Sequence, residues 1–379
     1  MSSGALHSTF LGDRQDAAPV GPCILITGAT GFVGGALLAS LARSDARLVA
    51  LVRGGTEAEA RARLLRSVAR FVTITVAEDL VRRVTLVVGD LAEEGTLEHV
   101  LFDEVTLAVH AAACTSFVSS REAWRTNVVG TTLLLERLRR SARLERLLHV
   151  STAYCCGDRP RAVVQEDDSP STAHSYVNEY TRSKAEAERL VLAAAGDVPV
   201  LVARPSVVIG HTTLGVGPSS SLFWYYRALA ALGTSPFRPD ARRDIVPVDY
   251  VADALAFLLR HAAPRFRTYH VSAGARACVK WSDVRRELGA HGDDRTVSPA
   301  ALGDAREVRH LVCDDAQARH LARGLVACAE LGALGVDYFD NTRLLAEGFC
   351  APPSFLDYLP RCVESSRDKP LYEQMVDDL

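Results

Sequence analysis

Short apolar runs alternate with longer amphipathic stretches along the first half of the chain. The apolar runs have the length and composition of strands buried on both faces, and the stretches between them repeat apolar residues at helical spacing. The predicted strands are Cys23–Thr27, Arg47–Val52, Val84–Val88, Thr106–His110, Leu147–Ser151 and Val200–Arg204. The predicted helices include Gly34–Ala42, Thr56–Val72, Trp124–Arg140 and Thr181–Ala195. This alternation predicts an α/β fold with a Rossmann-type, doubly wound parallel sheet.

The pattern changes after Arg204, where glycines and prolines interrupt it and the aromatic run Phe223–Tyr226 lies between them. It returns at Asp244–Arg260, where Asp249 is the predicted N-cap of a helix from Tyr250, and in a strand over Thr268–Val271. We therefore predict a flexible segment over 1–21 and a nucleotide-binding domain over 22–210, with returns at about 244–272. A smaller substrate-binding or lid region is predicted over 211–243 and 273–379.

The charges, cysteines and apolar stretches of the chain indicate which partners and which cellular compartment to expect. Scattered charges, 43 Lys and Arg against 46 Asp and Glu, disfavour nucleic acid and anionic membranes as partners. The nine cysteines include no C-x-x-C pair and no zinc-site spacing, so we expect no metal and buried, reduced thiols. The chain shows no secretory leader and no stretch of roughly 18 apolar residues, which predicts a cytoplasmic protein without a membrane span.

A glycine-rich turn follows the first predicted strand. Gly28, Gly31 and Gly34 are spaced three apart at the opening of a helix. In that context Gly28 can make the tight turn, Gly31 can let the backbone approach a pyrophosphate, and Gly34 can allow close packing of helix on strand. The spacing is G-x-x-G-x-x-G and departs from the usual G-x-G-x-x-G, and a tight turn without a ligand is the alternative.

Two charged residues follow the next strands. Arg53 stands where a site selective for NAD would carry Asp or Glu, and its guanidinium is suited to a 2′-phosphate, which favours NADPH. The alternative is a solvated arginine at a strand end. Asp90 could accept a hydrogen bond from the adenine amino group or be an ordinary turn residue.

Tyr180 and Lys184 are four positions apart, which places a phenol and an ammonium on one helix face. A nearby ammonium favours the phenolate and is expected to lower the tyrosine pKa, while the lysine can also hold the nicotinamide ribose. Ser151 and Thr152 end a predicted strand at the ligand-binding edge of the sheet, where one of them can donate to a substrate carbonyl. The alternatives are a solvated helix face and a Ser-Thr turn.

Together these pieces resemble the extended short-chain dehydrogenase/reductase family, and more narrowly its branch of fatty acyl-CoA reductases and carrier-protein thioester reductases. The residues that carry the resemblance are Thr27-Gly-Ala-Thr-Gly-Phe-Val-Gly34, Val88-Gly-Asp-Leu91, His110-Ala-Ala-Ala113, Asn127-Val-Val-Gly130, His149-Val-Ser-Thr-Ala-Tyr154, Tyr180-Thr-Arg-Ser-Lys184, Arg204-Pro-Ser206 and Asp244-Ile-Val-Pro-Val-Asp249. The late runs Tyr338-Phe-Asp-Asn341 and Gly348-Phe-Cys-Ala-Pro-Pro353 also look like the acyl-reductase branch.

The resemblance implies a catalytic set of Thr152, Tyr180 and Lys184, with Asn127 supporting the lysine through water. It implies contacts to NADPH from a longer list of residues. These are Gly28, Thr30, Gly31, Phe32, Gly34, Arg53, Asp90, Leu91, Ala111, Ala112, Asn127, Lys184, Pro205 and Val207. It leaves both a monomer and a homodimer open.

The implied activity is NADPH-dependent reduction of an acyl thioester to an aldehyde and, with a second hydride, an alcohol. The thioester would be carried by coenzyme A or by an acyl or peptidyl carrier protein. The segment Leu222–Leu232 is the candidate cover for the acyl chain, with an ordinary core helix as the alternative. Other readings are a reductase or dehydrogenase of a free ketone, aldehyde or alcohol, a sugar-nucleotide epimerase or dehydratase, and a cofactor-sensing scaffold without turnover.

Overall fold

Seven parallel strands form the central sheet of the computed structural model, which describes residues 21–115, 120–158, 161–219, 221–290 and 294–376. The strands of the described chain are β1 Cys23–Thr27, β2 Arg47–Val52, β3 Thr85–Val88, β4 Leu107–His110, β5 Arg146–Val150, β6 Val163–Val164, β7 Val200–Pro205, β8 Val207–Val208, β9 Thr234–Ser235, β10 Arg242–Arg243, β11 Ile245–Val246, β12 Thr268–Val271, β13 Val279–Lys280, β14 Arg295–Thr296 and β15 Tyr338–Phe339. The sheet order is β12-β7-β5-β4-β1-β2-β3.

Helices connect these strands and cover both faces of the sheet. They are α1 Phe32–Ser40, α2 Glu57–Val68, α3 Ile74–Arg83, α4 Glu94–Leu97, α5 Ser120–Trp124, α6 Gly130–Arg139, α7 Glu179–Ala193, α8 Phe223–Leu232, α9 Val248–Arg260, α10 Gly274–Ala277, α11 Trp281–Glu287, α12 Ala305–Val308, α13 Asp315–Gly332, α14 Thr342–Ala346, α15 Phe355–Ser365 and α16 Leu371–Val376. The predicted Rossmann-type doubly wound sheet is confirmed.

The central strands are mostly apolar because they contribute side chains to two hydrophobic cores. Ile24 and Ile26 of β1 pack with α1, α2 and α9, whereas Leu25 belongs to the cluster on the other face with residues of α6 and α7. Side chains alternate between the faces of a strand, so a strand covered on both faces has few polar positions. The buried exceptions towards the carboxyl ends of their strands are His110, His149 and Arg204. The predicted bounds agree with the structure for β1, β2 and β12, and the other predicted strands differ from it by about one residue at one or both ends.

Side chains that cap the first turn determine where several helices begin. The Thr56 side chain accepts a hydrogen bond from Glu59 N at 3.2 Å and begins α2. Asn178 accepts from Thr181 N at 2.9 Å, so α7 begins at Glu179, two residues before the predicted start. The predicted helix over Trp124–Arg140 is α5, a π-helical turn over Arg125–Val129, and α6. The extra residue of that turn changes the helix face presented to the sheet.

The predicted N-cap of α9 is wrong. The helix begins at Val248 with Pro247 at the N-cap position, and Asp249 lies in its first turn. The Asp249 carboxylate instead accepts hydrogen bonds from Thr212, through the backbone N–H at 3.1 Å and through the hydroxyl. Asp249 therefore connects α9 to the loop after β8 and does not cap the helix.

A second hydrophobic cluster forms outside the sheet, from residues of α8, α11, α13 and α15. Helix α9 packs on α1 in the hydrophobic core on one face of the sheet. The domain bounds given above stay a prediction. The flexible segment predicted over 1–21 lies outside the described residues except for Gly21.

Two further properties concern the described chain as a whole. None of its helices is both long and apolar enough to cross a bilayer. All nine cysteines are free thiols, but the expectation that they are buried is wrong for Cys313 and Cys350, which are exposed. Both lie in connecting loops, next to α13 and after α14, where the backbone runs over the surface.

Candidate active site

A cleft of about 500 Å³ opens at the carboxyl edge of the sheet and continues towards α8. Its described lining falls into three groups: the glycine turn, polar residues at the centre and an aromatic end. From the glycine turn come Gly28, Thr30, Gly31, Phe32, Val33 and Gly34, from the centre Ser151, Thr152, Tyr180 and Lys184, and from the aromatic end Trp224, Tyr225, Tyr226 and Phe237. Ala111, Pro205 and Val207 line it between these groups. Ligands of doubly wound folds bind at this edge.

The glycine turn leaves room for a phosphate group. Gly28 has a φ of 76°, and a Cβ there would come within 2.5 Å of the Ala111 backbone. A Cβ on Gly34 would lie 2.1 Å from Gly28 O, so this glycine permits the close approach of α1 to the turn. A Cβ on Gly31 would meet nothing closer than Gly28 O at 3.3 Å. The fold itself therefore has little need for glycine at position 31, and the absence of a side chain there leaves space in the cleft for a ligand.

The start of α1 completes this cradle. Gly31 is its N-cap, and the first turn contains no acidic residue. The first N–H groups of a helix lack acceptors within the helix and carry partial positive charge, which suits a pyrophosphate. The residues of the turn thus fit a dinucleotide cofactor.

Helix α7 and the end of β5 bring the three proposed catalytic side chains together. Tyr180 and Thr152 share a side-chain hydrogen bond. Thr152 Oγ1 also accepts from Tyr154 N at 3.3 Å, which fixes the threonine in a turn. Lys184 Nζ donates to the carbonyl oxygen of Val150 at 2.7 Å. A phenol, a hydroxyl and an ammonium thus line the same cleft.

The expected lowering of the tyrosine pKa is wrong for the protein without ligand. Burial raises the pKa of Tyr180 to about 12, although the hydrogen bond from Thr152 acts in the opposite direction. Burial also lowers the pKa of Lys184 to about 8, against the opposing effect of Glu188. The ammonium is directed at Val150 O and contributes little to the charge around the phenol. The phenol is therefore held in its protonated form.

A buried ion pair lies behind these residues and was missed from the sequence. Glu188 and Arg204 both have fully buried side chains, and Arg204 Nη2 lies 2.5 Å from Glu188 Oε1. Glu188 Oε2 also accepts from the Ser151 hydroxyl at 2.5 Å. Ser151 is thus committed to Glu188, which leaves Thr152 as the hydroxyl beside Tyr180. The spacing of Tyr180, Lys184 and Glu188, each four apart, was the available signal.

Several predicted cofactor residues lie outside the cleft lining. Arg53 is half-exposed at the end of β2, with Nη1 3.6 Å from Glu122 Oε1. Asp90 Oδ2 accepts from Arg125 Nη1 at 2.8 Å. Leu91 is buried in the core beside α6, and Ala112 is partly buried against the same cluster.

Asn127 is buried in the π-helical turn, where its side chain contacts Ser183 of α7 and the backbone of Cys114. Its Nδ2 donates to Ser183 Oγ at 2.9 Å and to Cys114 O at 3.1 Å, and its Oδ1 accepts from Cys114 N at 2.8 Å. None of these hydrogen bonds reaches Lys184. Asn127 ties the loop after β4 to α7.

Helix α8 serves as both a core helix and a wall of the cleft. Phe223 and Tyr226 are buried among the aromatic rings of the second hydrophobic cluster, and Trp224, Tyr225 and Tyr226 also line the cleft. Leu331 and Gly332, from the end of α13, lie on the same wall. The two readings of Leu222–Leu232 are therefore compatible. In the described part of the chain no cluster of three or more His, Cys, Asp or Glu could hold a metal ion.

Fold and site together define the class of protein: an NAD(P)-dependent oxidoreductase of the extended short-chain dehydrogenase/reductase type, in its thioester reductase branch. Within it, the chain belongs to the NAD-binding male sterility protein family, whose model matches residues 26–255. The class binds a nicotinamide cofactor. The identification from motifs is thereby confirmed.

Individual relatives agree with this placement. The chain is 30% identical over 269 residues to the non-canonical nonribosomal peptide synthetase cpsA of Aspergillus campestris, covering 65% of this chain and 25% of that protein. It is 28% identical over 311 residues to fatty acyl-CoA reductase 1 of Gallus gallus, covering 70% and 60%. The chain thus spans less than two thirds of either relative.

A solved structure extends the likeness to the C-terminal part. The terminal R domain of the myxalamid PKS-NRPS biosynthetic pathway is similar with a TM-score of 0.75 and 26% identity. The match covers 91% of this chain and 90% of that domain.

Proposed function

We propose that this chain reduces an acyl thioester to an aldehyde with NADPH, using Thr152, Tyr180 and Lys184. The observation that carries the proposal is the hydrogen-bonded pair of Tyr180 and Thr152, in a cleft that joins the glycine turn to an aromatic end. Relatives named as a fatty acyl-CoA reductase and as nonribosomal peptide synthetases support the thioester as substrate. A carrier protein or coenzyme A would deliver the acyl group.

The cofactor would be held by the glycine turn and α1 at its pyrophosphate, and by Lys184 at its nicotinamide ribose. Ala111, Pro205 and Val207 line the cleft between these two sites and would contact it there. Arg53 would bind the 2′-phosphate, which is the basis for NADPH rather than NADH. When bound, the reduced nicotinamide supplies the hydride.

Thr152 and Tyr180 act on the carbonyl oxygen of the thioester. Both hydroxyls can donate to that oxygen as negative charge develops on it, which stabilises the transition state. Because the phenol of Tyr180 has a raised pKa, it is protonated at neutral pH and can give its proton to the oxygen. The carbon then bears a new C–H bond, a hydroxyl and the sulfur.

Release of the thiol completes the reaction. The hydroxyl proton returns to Tyr180 as the carbon–sulfur bond breaks, the carbonyl re-forms as an aldehyde, and the thiolate takes a proton from water. The net change consumes one hydride and one proton and yields aldehyde and free thiol. Reduction of the same aldehyde with a second NADPH, with a second proton given by Tyr180, gives an alcohol.

The test is to incubate the protein with NADPH and acyl-CoA thioesters of varied chain length. We expect loss of NADPH coupled to release of free thiol. Tyr180→Phe should lower the turnover rate by about 100-fold or more and leave NADPH binding intact. Tyr372→Phe is the matched control, because the phenol of Tyr372 lies 3.1 Å from His320 Nδ1 and outside the cleft lining.

Three results would contradict the proposal. Activity on free ketones or aldehydes without any thiol release would identify a carbonyl reductase that uses the same three residues. An unchanged rate for Tyr180→Phe would remove the assigned acid. NADPH binding without turnover of either kind of substrate would indicate a cofactor-sensing protein.

A further inference from the structure

A buried arginine lies at the aromatic end of the cleft, away from the glycine turn. Arg243 is in β10, is 6% exposed and lines the cleft. Its guanidinium carbon lies 4.2 Å from the centroid of the Phe237 ring, and Nη2 donates to Val336 O at 2.9 Å. The side chain is therefore fixed in position by a ring on one side and a carbonyl on the other.

The charge of Arg243 has no counter-ion among the described residues. Their ion pairs do not include it, whereas the other deeply buried arginine of the site, Arg204, is paired with Glu188. The adjacent carboxylate, Asp244, is occupied by backbone N–H groups of Ala273 at 2.7 Å and Phe339 at 2.9 Å.

Most donors of this guanidinium remain available to a ligand. A guanidinium has five N–H donors, and the described hydrogen bonds of Arg243 use one of them, to Val336 O. Burying a cation without a partner is costly, and the cost is removed when an anion binds beside it. The open side of Arg243 is the cleft.

We propose that Arg243 recognises a carboxylate on the acyl part of the substrate, remote from the thioester. This inference rests on the proposed thioester reduction and narrows its substrate class to thioesters of dicarboxylic acids or of similar acyl groups that bear an anion. A planar carboxylate matches the fork of the guanidinium. Tyr226, Phe237 and Trp224 supply an apolar wall for the chain between carboxylate and thioester.

The phosphates of coenzyme A or of a carrier arm are the other anions that such a substrate contains. They are attached to a large, solvated group that stays outside the protein, and a carrier domain cannot enter a cleft of about 500 Å³. Arg243 is buried, with its ring partner Phe237 in the second hydrophobic cluster. Its position therefore favours the acyl carboxylate over the phosphate.

The test measures kcat/KM for pairs of substrates of equal chain length, on wild type and on two arginine variants. Monothioesters of dicarboxylic acids of increasing length are each paired with the unsubstituted fatty acyl thioester of equal length. Wild type should prefer the carboxylate at the length that reaches Arg243. Arg243→Met should lose about 30-fold or more in kcat/KM on that substrate, with little change on its neutral partner. Arg242→Met, which alters the exposed neighbour in the same strand, is the control and should keep the preference.

Measuring the binding of substrate analogues gives a test that does not depend on turnover. Thioether analogues of the same two substrates cannot be reduced, and calorimetry in the presence of NADP gives their Kd. Weaker binding of only the carboxylate analogue to Arg243→Met supports the proposal even if no thioester is turned over. Equal Kd values for the two analogues on wild type would overturn it and leave thioester reduction standing.

The anion's source is tested with N-acetylcysteamine thioesters, which contain no phosphate. If the effect of Arg243→Met requires coenzyme A and disappears with these substrates, the arginine binds phosphate and the proposal fails. Should Arg243→Met not fold, Arg243→Lys keeps the charge without the fork and is expected to reduce the preference partially. A full preference in the folded lysine variant would overturn the recognition by a fork.

Discussion

Burial acts on Tyr180 and Lys184 in opposite directions. It disfavours the charged form of each, so the pKa of the phenol is raised to about 12 and that of the ammonium is lowered to about 8. The phenol then remains a proton donor over the whole range in which enzymes are assayed. The lysine is the member of the pair that titrates near physiological pH.

This difference predicts the pH dependence of cofactor binding. Below pH of about 8 Lys184 carries its charge, and as pH rises through that value the ammonium loses a proton and its charge-assisted hydrogen bonds weaken. We expect the Kd of NADPH to rise about tenfold between roughly pH 7 and 9, measured by nicotinamide fluorescence. Lys184→Met should bind more weakly with no such rise. A rise that persists in this variant would assign the titration to another group.

Arg53 is expected to determine the choice of cofactor. If its guanidinium binds the 2′-phosphate, Arg53→Ser should raise the KM for NADPH about tenfold or more and change the KM for NADH little. Arg82→Ser, an exposed arginine paired with Asp79, is the control. Equal effects on both cofactors would mean that Arg53 is a solvated residue at a strand end.

Spacing was sufficient to predict that Tyr180 and Lys184 share a helix face and that Ser151 or Thr152 lies at the same edge of the sheet, and these side chains line one cleft. The choice of Thr152 over Ser151 came from the family resemblance. Spacing was not sufficient for Arg243. That side chain is defined by contacts to Phe237 and Val336, from segments whose approach depends on tertiary packing. The raised pKa of Tyr180 was also beyond the sequence, since its main cause is the burial of the phenol, which depends on tertiary packing.

In the turn between β1 and α1, one glycine is needed for folding and another for cofactor binding. Gly34→Ala should destabilise the protein by about 2 kcal/mol, because its Cβ would clash with the Gly28 carbonyl. Gly31 has an ordinary extended backbone with a φ of -81°, so Gly31→Ala should fold with nearly unchanged stability. Its methyl group should nevertheless weaken NADPH binding about tenfold by blocking the phosphate.

Thermal unfolding and NADPH titration of both glycine variants check this separation. Loss of binding in proportion to loss of stability in both variants would show that the turn has only a structural role. Undiminished NADPH affinity in Gly31→Ala would place the pyrophosphate elsewhere.

Helix α7 carries Tyr180 and Lys184 and is anchored to β7 by the pair of Glu188 and Arg204. Glu188→Gln leaves a buried guanidinium without its counter-ion and should lower the free energy of unfolding by about 3 to 5 kcal/mol. Glu186→Gln breaks a solvent-exposed pair with Arg189 on the same helix and should cost about 0 to 1 kcal/mol. Urea unfolding measures both. A loss below about 1 kcal/mol for Glu188→Gln would refute the anchoring role.

The strands were predictable because burial on both faces makes them mostly apolar, with few polar residues such as His149 and His270. Helix starts were less so, since several residues compete to cap each one. At α9 the helix begins directly after Pro247, and Asp249 is recruited by Thr212 instead of by its own backbone. The contact that decides this comes from a distant loop, which local sequence does not contain.

For the whole molecule, the cleft depends on two separately built parts. One is the sheet with its glycine turn, and the other is the second hydrophobic cluster, which contributes Trp224, Phe237 and the end of α13 to the wall. The alternation of strands and helices was enough to predict the first part. The second has short, irregular elements, and its packing against the sheet could not be read from periodicity.

The central claim is that a hydride reaches the carbonyl carbon of a thioester held in this cleft. Its most direct measurement is to incubate the protein with NADPH deuterated at the transferring position and an acyl thioester, and to analyse the products by mass spectrometry. We expect deuterium on the carbonyl carbon of the aldehyde, or on the corresponding carbon of the alcohol, together with free thiol. Thiol released with an unlabelled acid, or label found only in added free ketones, would contradict it.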